Sequence, residues 1–205
     1  METRKAIVFD LDGTLNSFKE MDHEIIQEIF SKHGKLPFLV KWMDAIMWFI
    51  NDLEMMGNTM PKLMFRFQIL SFISGLMKED IFRRYKRLYR KKNARYLQKR
   101  EDFLKQILVK GFIPLIVSNN GLSSGMQVAG DNIITVVKKE KELEYLKERY
   151  QIQYLVGNNY CDDIKNARKI GAIPIYVGGS PIVKCLMKKN EKIISHIEQI
   201  FEIIG

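Results

Sequence analysis

Cysteine is scarce in this chain, and the two that occur, Cys161 and Cys185, form no CxxC pair. A disulfide framework and a paired-thiol redox or metal motif are therefore excluded, which fits a reducing, cytoplasmic setting. Long apolar runs are also missing: stretches such as residues 67–77 are too short to span a bilayer. The first apolar run starts so early that no secretory leader fits before it, so a soluble cytoplasmic protein without a transmembrane segment is expected. Internal repeats and low-complexity linkers are absent. Acidic residues, finally, disappear from residues 83–100, where ten positions are Lys or Arg.

What is present suits an enzyme-sized core. With 205 residues and 46% hydrophobic content, the chain can bury a sizeable interior as one large domain or a domain plus a subdomain. Strand-like runs at residues 5–9, 112–117, 133–137, 154–156 and 173–177 alternate with helical patterns. That alternation predicts an α/β fold with a mostly parallel, doubly wound, Rossmann-like sheet covered on both faces. One long interruption, residues 17–95, reads as all helical. Residues 182–204 read as a terminal helix, with Ile193, Ile194, Ile197, Ile200, Phe201 and Ile204 along one side.

The first strand-like run, Ala6-Ile7-Val8-Phe9, ends in Asp10-Leu11-Asp12-Gly13-Thr14. In an open α/β sheet, ligands bind beyond the carboxyl ends of the strands, which is where Asp10 falls. Asp12 lies two residues on, so in extended chain it points to the same side as Asp10, and Gly13 permits the turn that lets both face one ligand.

In this DxDGT sequence the chain resembles the haloacid dehalogenase-like hydrolase superfamily, and further motifs of that family recur in order. Ser118 ends the apolar run 112–117 and is similar to the second motif. Lys138 or Lys139, with Lys141 a weaker choice, follows the run 133–137 and matches the third motif's lysine. Gly157-Asn158-Asn159-Tyr160-Cys161-Asp162-Asp163 resembles the fourth, with one departure: Asn158 stands where the family usually has its first acid. The resemblance implies a core of residues 1–16 and 96–205, and a helical cap of residues 17–95 that closes over the site and selects the substrate.

The resemblance implies Asp10 as nucleophile and Asp12 as general acid and base, hydrolysing a phosphate ester through an aspartyl-phosphate. Thr14, Ser118, the Asn119 backbone amide and the lysine at Lys138 or Lys139 are the expected donors to phosphoryl oxygens. It further implies Mg²⁺ on a carboxylate oxygen of Asp10, the backbone carbonyl of Asp12 and the fourth-motif residues Asn158 with Asp162 or Asp163. Mg²⁺ prefers hard oxygen ligands, and Asn158 supplies an oxygen without charge. Family members that are dehalogenases lack the acid at the position of Asp12, which points to a Mg²⁺-dependent phosphatase or, as an alternative, a phosphomutase. A catalytically weak binding protein is the other reading, with Asn158 as its support.

The expected cap is compositionally biased. Seven of the eleven methionines and both tryptophans lie between Trp42 and Met77. A bundle core is the plainer reading; an adaptable apolar surface for a substrate, a partner or a membrane is the sharper one, with a homodimer through the apolar cap as one expected assembly. Phe82, Tyr85, Tyr89 and Tyr96 recur at helical intervals along the basic stretch. A solvated amphipathic helix with inward tyrosines is favoured there over a surface for RNA, acidic lipid or an anionic substrate. The expected partner is a small phosphorylated substrate, with no nucleic acid.

Overall fold

The computed structural model describes residues 4–31, 42, 59–123, 127–128, 131–132, 134–135 and 139–205. In chain order, β1 (Lys5–Phe9) leads to three helices: α1 (Phe18–Ser31), α2 (Thr59–Ser74) and α3 (Lys78–Val109). Strand β2 (Ile113–Ser118) follows, then a small antiparallel pair, β3 (Gln127–Val128) and β4 (Asp131–Asn132), and β5 (Ile134–Thr135). The second half runs α4 (Lys139–Arg149), β6 (Gln151–Gly157), a π-helical turn (Tyr160–Ile164), α5 (Lys165–Ile170) and β7 (Ile173–Val177). It closes with α6 (Pro181–Leu186), β8 (Lys192–Ile194), a 3-10 turn (Ile197–Ile200) and α7 (Phe201–Ile204).

Six strands form one parallel sheet in the order β5-β2-β1-β6-β7-β8. β1 sits centrally, with β2 on one side and β6 on the other, so the strand order reverses around it. That reversal places the crevice of a doubly wound sheet at the carboxyl end of β1. Alternation along β1 serves both faces. Ile7 and Phe9 pack with Leu97, Phe103, Leu104 and Ile107 of α3, whereas Val8 packs with Leu143 and Leu146 of α4 and Ala167 and Ile170 of α5. Both faces being covered, the strand reads as a continuous apolar run. α5 stops at Gly171, whose φ of 77° is the left-handed conformation that glycine adopts without penalty.

The three helices after β1 build a second core. Met21, Ile25 and Ile29 of α1 meet Phe67 and Leu70 of α2 and Ile81, Tyr85 and Tyr89 of α3. The spacing of three or four residues within each helix supplies the stripe that makes this contact. The tyrosines of the basic stretch thus turn inward, as expected. α3 is one uninterrupted 32-residue helix. Its amino-terminal half packs in the helical layer and its carboxyl-terminal half on the sheet, and the expected boundary at residues 95 and 96 falls inside this one helix.

The terminal helix expected over residues 182–204 is not what forms. The segment is α6, an edge strand, a 3-10 turn and a single helical turn. Two long-range contacts win over the helical spacing. Ile193 and Ile194 pair with Tyr176 and Val177 of β7, extending the sheet. Arg168 grips Glu191 through two hydrogen bonds of 2.7 Å, while Glu191 accepts the Lys188 backbone N–H at 2.6 Å, which fixes a turn where a helix would have continued. Of the third-motif strand expected at 133–137, Ile134–Thr135 are described and form β5, and residues 133 and 136–138 lie outside the described residues. So do residues 43–58 of the Met-rich segment.

Candidate active site

Asp10 follows β1 directly and is anchored by its N–H, which donates to the Val156 carbonyl of β6 at 2.8 Å. Its carboxylate faces the Lys139 ammonium, which sits at the start of α4 and is 3% exposed. Nζ of Lys139 lies 2.6 Å from Asp10 Oδ1 and 2.7 Å from Asp163 Oδ1, so one buried cation bridges two carboxylates. Burial pushes the Asp10 carboxyl up to about 7, with Lys139 pulling the other way and Asp163 adding to the rise. Burial would lower Lys139, but Asp10 and Asp163 outweigh it and hold its proton more tightly than usual. Of the two adjacent lysines left open by the sequence, Lys139 is the one in contact with the first motif; Lys138 lies outside the described residues.

Asp12 is held by three side chains. Asn16 Nδ2 donates to its Oδ1 at 2.8 Å, Asn120 Nδ2 to its Oδ2 at 2.6 Å, and the Tyr89 hydroxyl to both oxygens at 2.8 and 3.1 Å. Burial raises the Asp12 carboxyl above its ordinary value although these donors oppose it. Burial and the Asp12 charge keep the Tyr89 hydroxyl protonated, hence a donor. Asn16 also donates to Asn93 Oδ1 at 2.9 Å, and its own Oδ1 accepts the Gly13 N–H at 3.0 Å. The α3 helix, through Tyr89 and Asn93, is therefore tied into the first-motif loop. These partners were not legible as such in the sequence, since Tyr89 and Asn120 stand 77 and 108 residues from Asp12.

The fourth-motif segment closes the other side. Asn159 caps the π-helical turn, its Oδ1 accepting the N–H of Cys161 at 2.9 Å and of Asp162 at 3.0 Å. The wide turn puts Asp163 against Lys139, and its second oxygen accepts the Asn159 N–H at 2.8 Å. Each Asp163 oxygen thus accepts one hydrogen bond, from Lys139 and from the Asn159 N–H, which fixes the carboxylate beside Asp10. Gly157 is needed beneath it: a Cβ there would lie 2.1 Å from Asp163 Oδ2. Asp162 accepts from Asn119 Nδ2 at 3.1 Å, so Asn119 offers a side-chain link as well as the expected backbone amide.

Asn158 lies against the first-motif loop. A Cβ on Gly13, whose φ is 84°, would come within 2.2 Å of Asn158 Nδ2. The donors expected for a metal here, the Asp10 carboxylate, the Asp12 backbone carbonyl, the Asn158 amide and the carboxylates of Asp162 and Asp163, are all oxygens, a hard set of the kind Mg²⁺ takes, to which Asn158 adds no charge. Among the described residues no cluster of three or more His, Cys, Asp or Glu side chains has metal-holding geometry.

Ser118, at the end of β2, is 1% exposed; its Oγ accepts the Asn120 N–H at 3.1 Å, leaving its O–H to donate. Thr14 Oγ1 is buried with no hydrogen-bond partner, the one such side-chain atom among the described residues. Buried polar atoms are rarely left unpaired, so this hydroxyl fits a bound oxygen.

No family model matches the chain, and no curated protein matches it. Solved structures do. Over 99% of both chains it superposes, with a TM-score of 0.64 and 16% identity, on the candidate HAD-hydrolase YfnB from Bacillus subtilis, whose crystals hold magnesium. A HAD phosphatase from Thermococcus onnurineus gives a TM-score of 0.52 at 16% identity over 98% of both chains. A beta-phosphoglucomutase from Clostridium difficile gives 0.50 at 14% identity, over 97% of this chain and 94% of that one.

Proposed function

We propose that this chain, which has the haloacid dehalogenase-like hydrolase fold, is a Mg²⁺-dependent phosphatase that cleaves a small phosphate monoester through an aspartyl-phosphate on Asp10. One observation carries the reading: Lys139 bridges Asp10 and Asp163 at 2.6 and 2.7 Å beside a second acid, Asp12, at the carboxyl end of the central strand. A dehalogenase needs no acid at the position of Asp12, so its presence favours phosphoryl transfer.

Asp10 Oδ attacks phosphorus in line with the leaving oxygen, and the phosphorus–oxygen ester bond breaks as the new one forms. Asp12, its carboxyl raised by burial, gives its proton to the departing alkoxide. The resulting Asp12 carboxylate then takes a proton from water as that water attacks the aspartyl-phosphate, which frees Asp10 and inorganic phosphate. Lys139, Ser118 and Thr14 supply positive charge or donors for the phosphoryl oxygens. Mg²⁺, held by Asp10, the Asp12 carbonyl and Asn158, would add charge neutralisation at those oxygens.

The test is release of nitrophenol from p-nitrophenyl phosphate, with Mg²⁺ or with chelator, for wild type and Asp10→Asn. Mg²⁺-dependent turnover that disappears in the variant supports the reading. Absence of turnover by wild type at saturating Mg²⁺ favours instead the binding-protein reading, for which the uncharged Asn158 is the specific support.

A further inference from the structure

Three features meet along the amino-terminal half of α3, and none takes part in the chemistry above. The first is charge. Arg83, Arg84, Lys86, Arg87, Arg90 and Lys91 are all exposed on α3, on a chain whose formal charge is +9. The second is a cavity of about 660 Å³ between α1 and α3, lined by Arg83, Arg84 and Arg87, with Ile29 and Leu88 as its apolar part. Glu28 and Asp80 also line it, but each already faces a cation: Asp80 lies 3.5 Å from Arg83 and Glu28 3.6 Å from Lys92. The third is exposed apolar surface at the α2–α3 turn, where Phe72 is 90% and Met77 64% exposed on either side of Gly75. Seven residues of helix separate Met77 from Arg84, a rise of about 10 Å, so the apolar and basic groups share one end of the molecule.

We propose that this end docks on an anionic phospholipid surface, with the arginine-lined cavity receiving a lipid phosphate and Phe72 and Met77 entering the headgroup boundary. Basic side chains attract anionic headgroups while neighbouring apolar groups insert, the combination that peripheral membrane contacts use. RNA fits less well. Of the aromatics of this basic helix, Tyr85 and Tyr89 are wholly buried and Phe82 and Tyr96 partly buried against the same core, which leaves little aromatic surface among the arginines for bases to stack on. The inference does not depend on the phosphatase reading, because no residue in it touches Asp10, Asp12 or Lys139.

Vesicle co-sedimentation of the full chain tests it, comparing phosphatidylcholine alone with phosphatidylcholine plus phosphatidylserine at low and physiological salt. The variants are Arg83→Glu/Arg84→Glu/Arg87→Glu and, separately, Phe72→Asp and Arg87→Gln, with folding checked by circular dichroism melting. Expected are binding to the anionic vesicles only, weakening with salt, and a loss of about a hundred-fold or more in the triple variant, since each basic residue at such a surface contributes about five-fold. Phe72→Asp should weaken binding at least several-fold, since it removes the inserting ring and adds a negative charge, and Arg87→Gln about five-fold; these two single variants decide the matter if the triple variant unfolds. The proposal is overturned by equal binding to neutral vesicles, by no vesicle binding at low salt, by folded variants that bind like wild type, or by binding to single-stranded RNA that anionic vesicles do not compete away.

Discussion

Replacing Lys139 by alanine should expose how the site is held together. Lys139 is buried and is the cation between Asp10 and Asp163, themselves 8% and 0% exposed. Removing one partner of a buried ion pair leaves uncompensated charge in a low-dielectric interior, which costs about 3–5 kcal/mol. At roughly 2–4 °C per kcal/mol for a chain of this size, Lys139→Ala should melt about 10 °C below wild type at pH 8. The penalty should also depend on pH in a defined direction. A carboxyl whose folded value lies above its unfolded value binds more protons folded than unfolded in the window between them, so stability falls as pH rises through that window. Asp10 already sits high, at about 7 against an ordinary 3.8, and loses the opposing pull of Lys139 in the variant. The difference between variant and wild type should therefore shrink toward pH 5, as Asp10 takes up its proton, and widen toward pH 8. Urea denaturation followed by circular dichroism at both pH values measures it. A cost below about 1 kcal/mol, or one that does not change with pH, would refute a buried charge triad at this position.

Other expectations follow from the same contacts. Tyr89→Phe deletes the hydroxyl that donates to both Asp12 oxygens while keeping the ring, so kcat should fall about ten-fold with little change in KM, the size expected for one hydrogen bond to a charged group; steady-state kinetics showing no drop would exclude a positioning role. Asn158→Asp adds the missing charge beside the first-motif loop and should tighten Mg²⁺ binding about ten-fold or more by isothermal titration calorimetry, whereas unchanged affinity would remove Asn158 from the metal site. Arg66→Ala strips the cation from Asp22, which is fully buried and accepts from Arg66 at 2.7 Å, so stability should drop by about 3 kcal/mol in chemical denaturation with a normal catalytic response to Mg²⁺.

Much of the core was readable because its strands are buried on both faces and so stand out as short apolar runs ending in polar residues. β1, β2, β6 and β7 appear where those runs lie, and Asp10, Asp12 and Ser118 fall at the strand ends that a doubly wound sheet turns toward its ligand. Local periodicity misled at the carboxyl terminus. Ile193, Ile194, Ile197 and Ile200 keep helical spacing, yet pairing with β7 and the Arg168–Glu191 fork decide the backbone there, and both are contacts between distant residues. The same limit hid Tyr89, Asn93 and Asn120. Nothing adjacent to them in sequence marks them, because their role arises only when α3 and the end of β2 converge on Asp12. Lys139 stood out only once α4 placed its ammonium against Asp10.

The covalent intermediate is the most direct point of attack on the central claim. Wild-type protein mixed with p-nitrophenyl phosphate and Mg²⁺, quenched in acid within the first turnover and analysed by peptide mass spectrometry, should carry a phosphoryl group on Asp10. Turnover without any phosphoryl group on Asp10, or with one placed on a different residue, would contradict the mechanism proposed for this site.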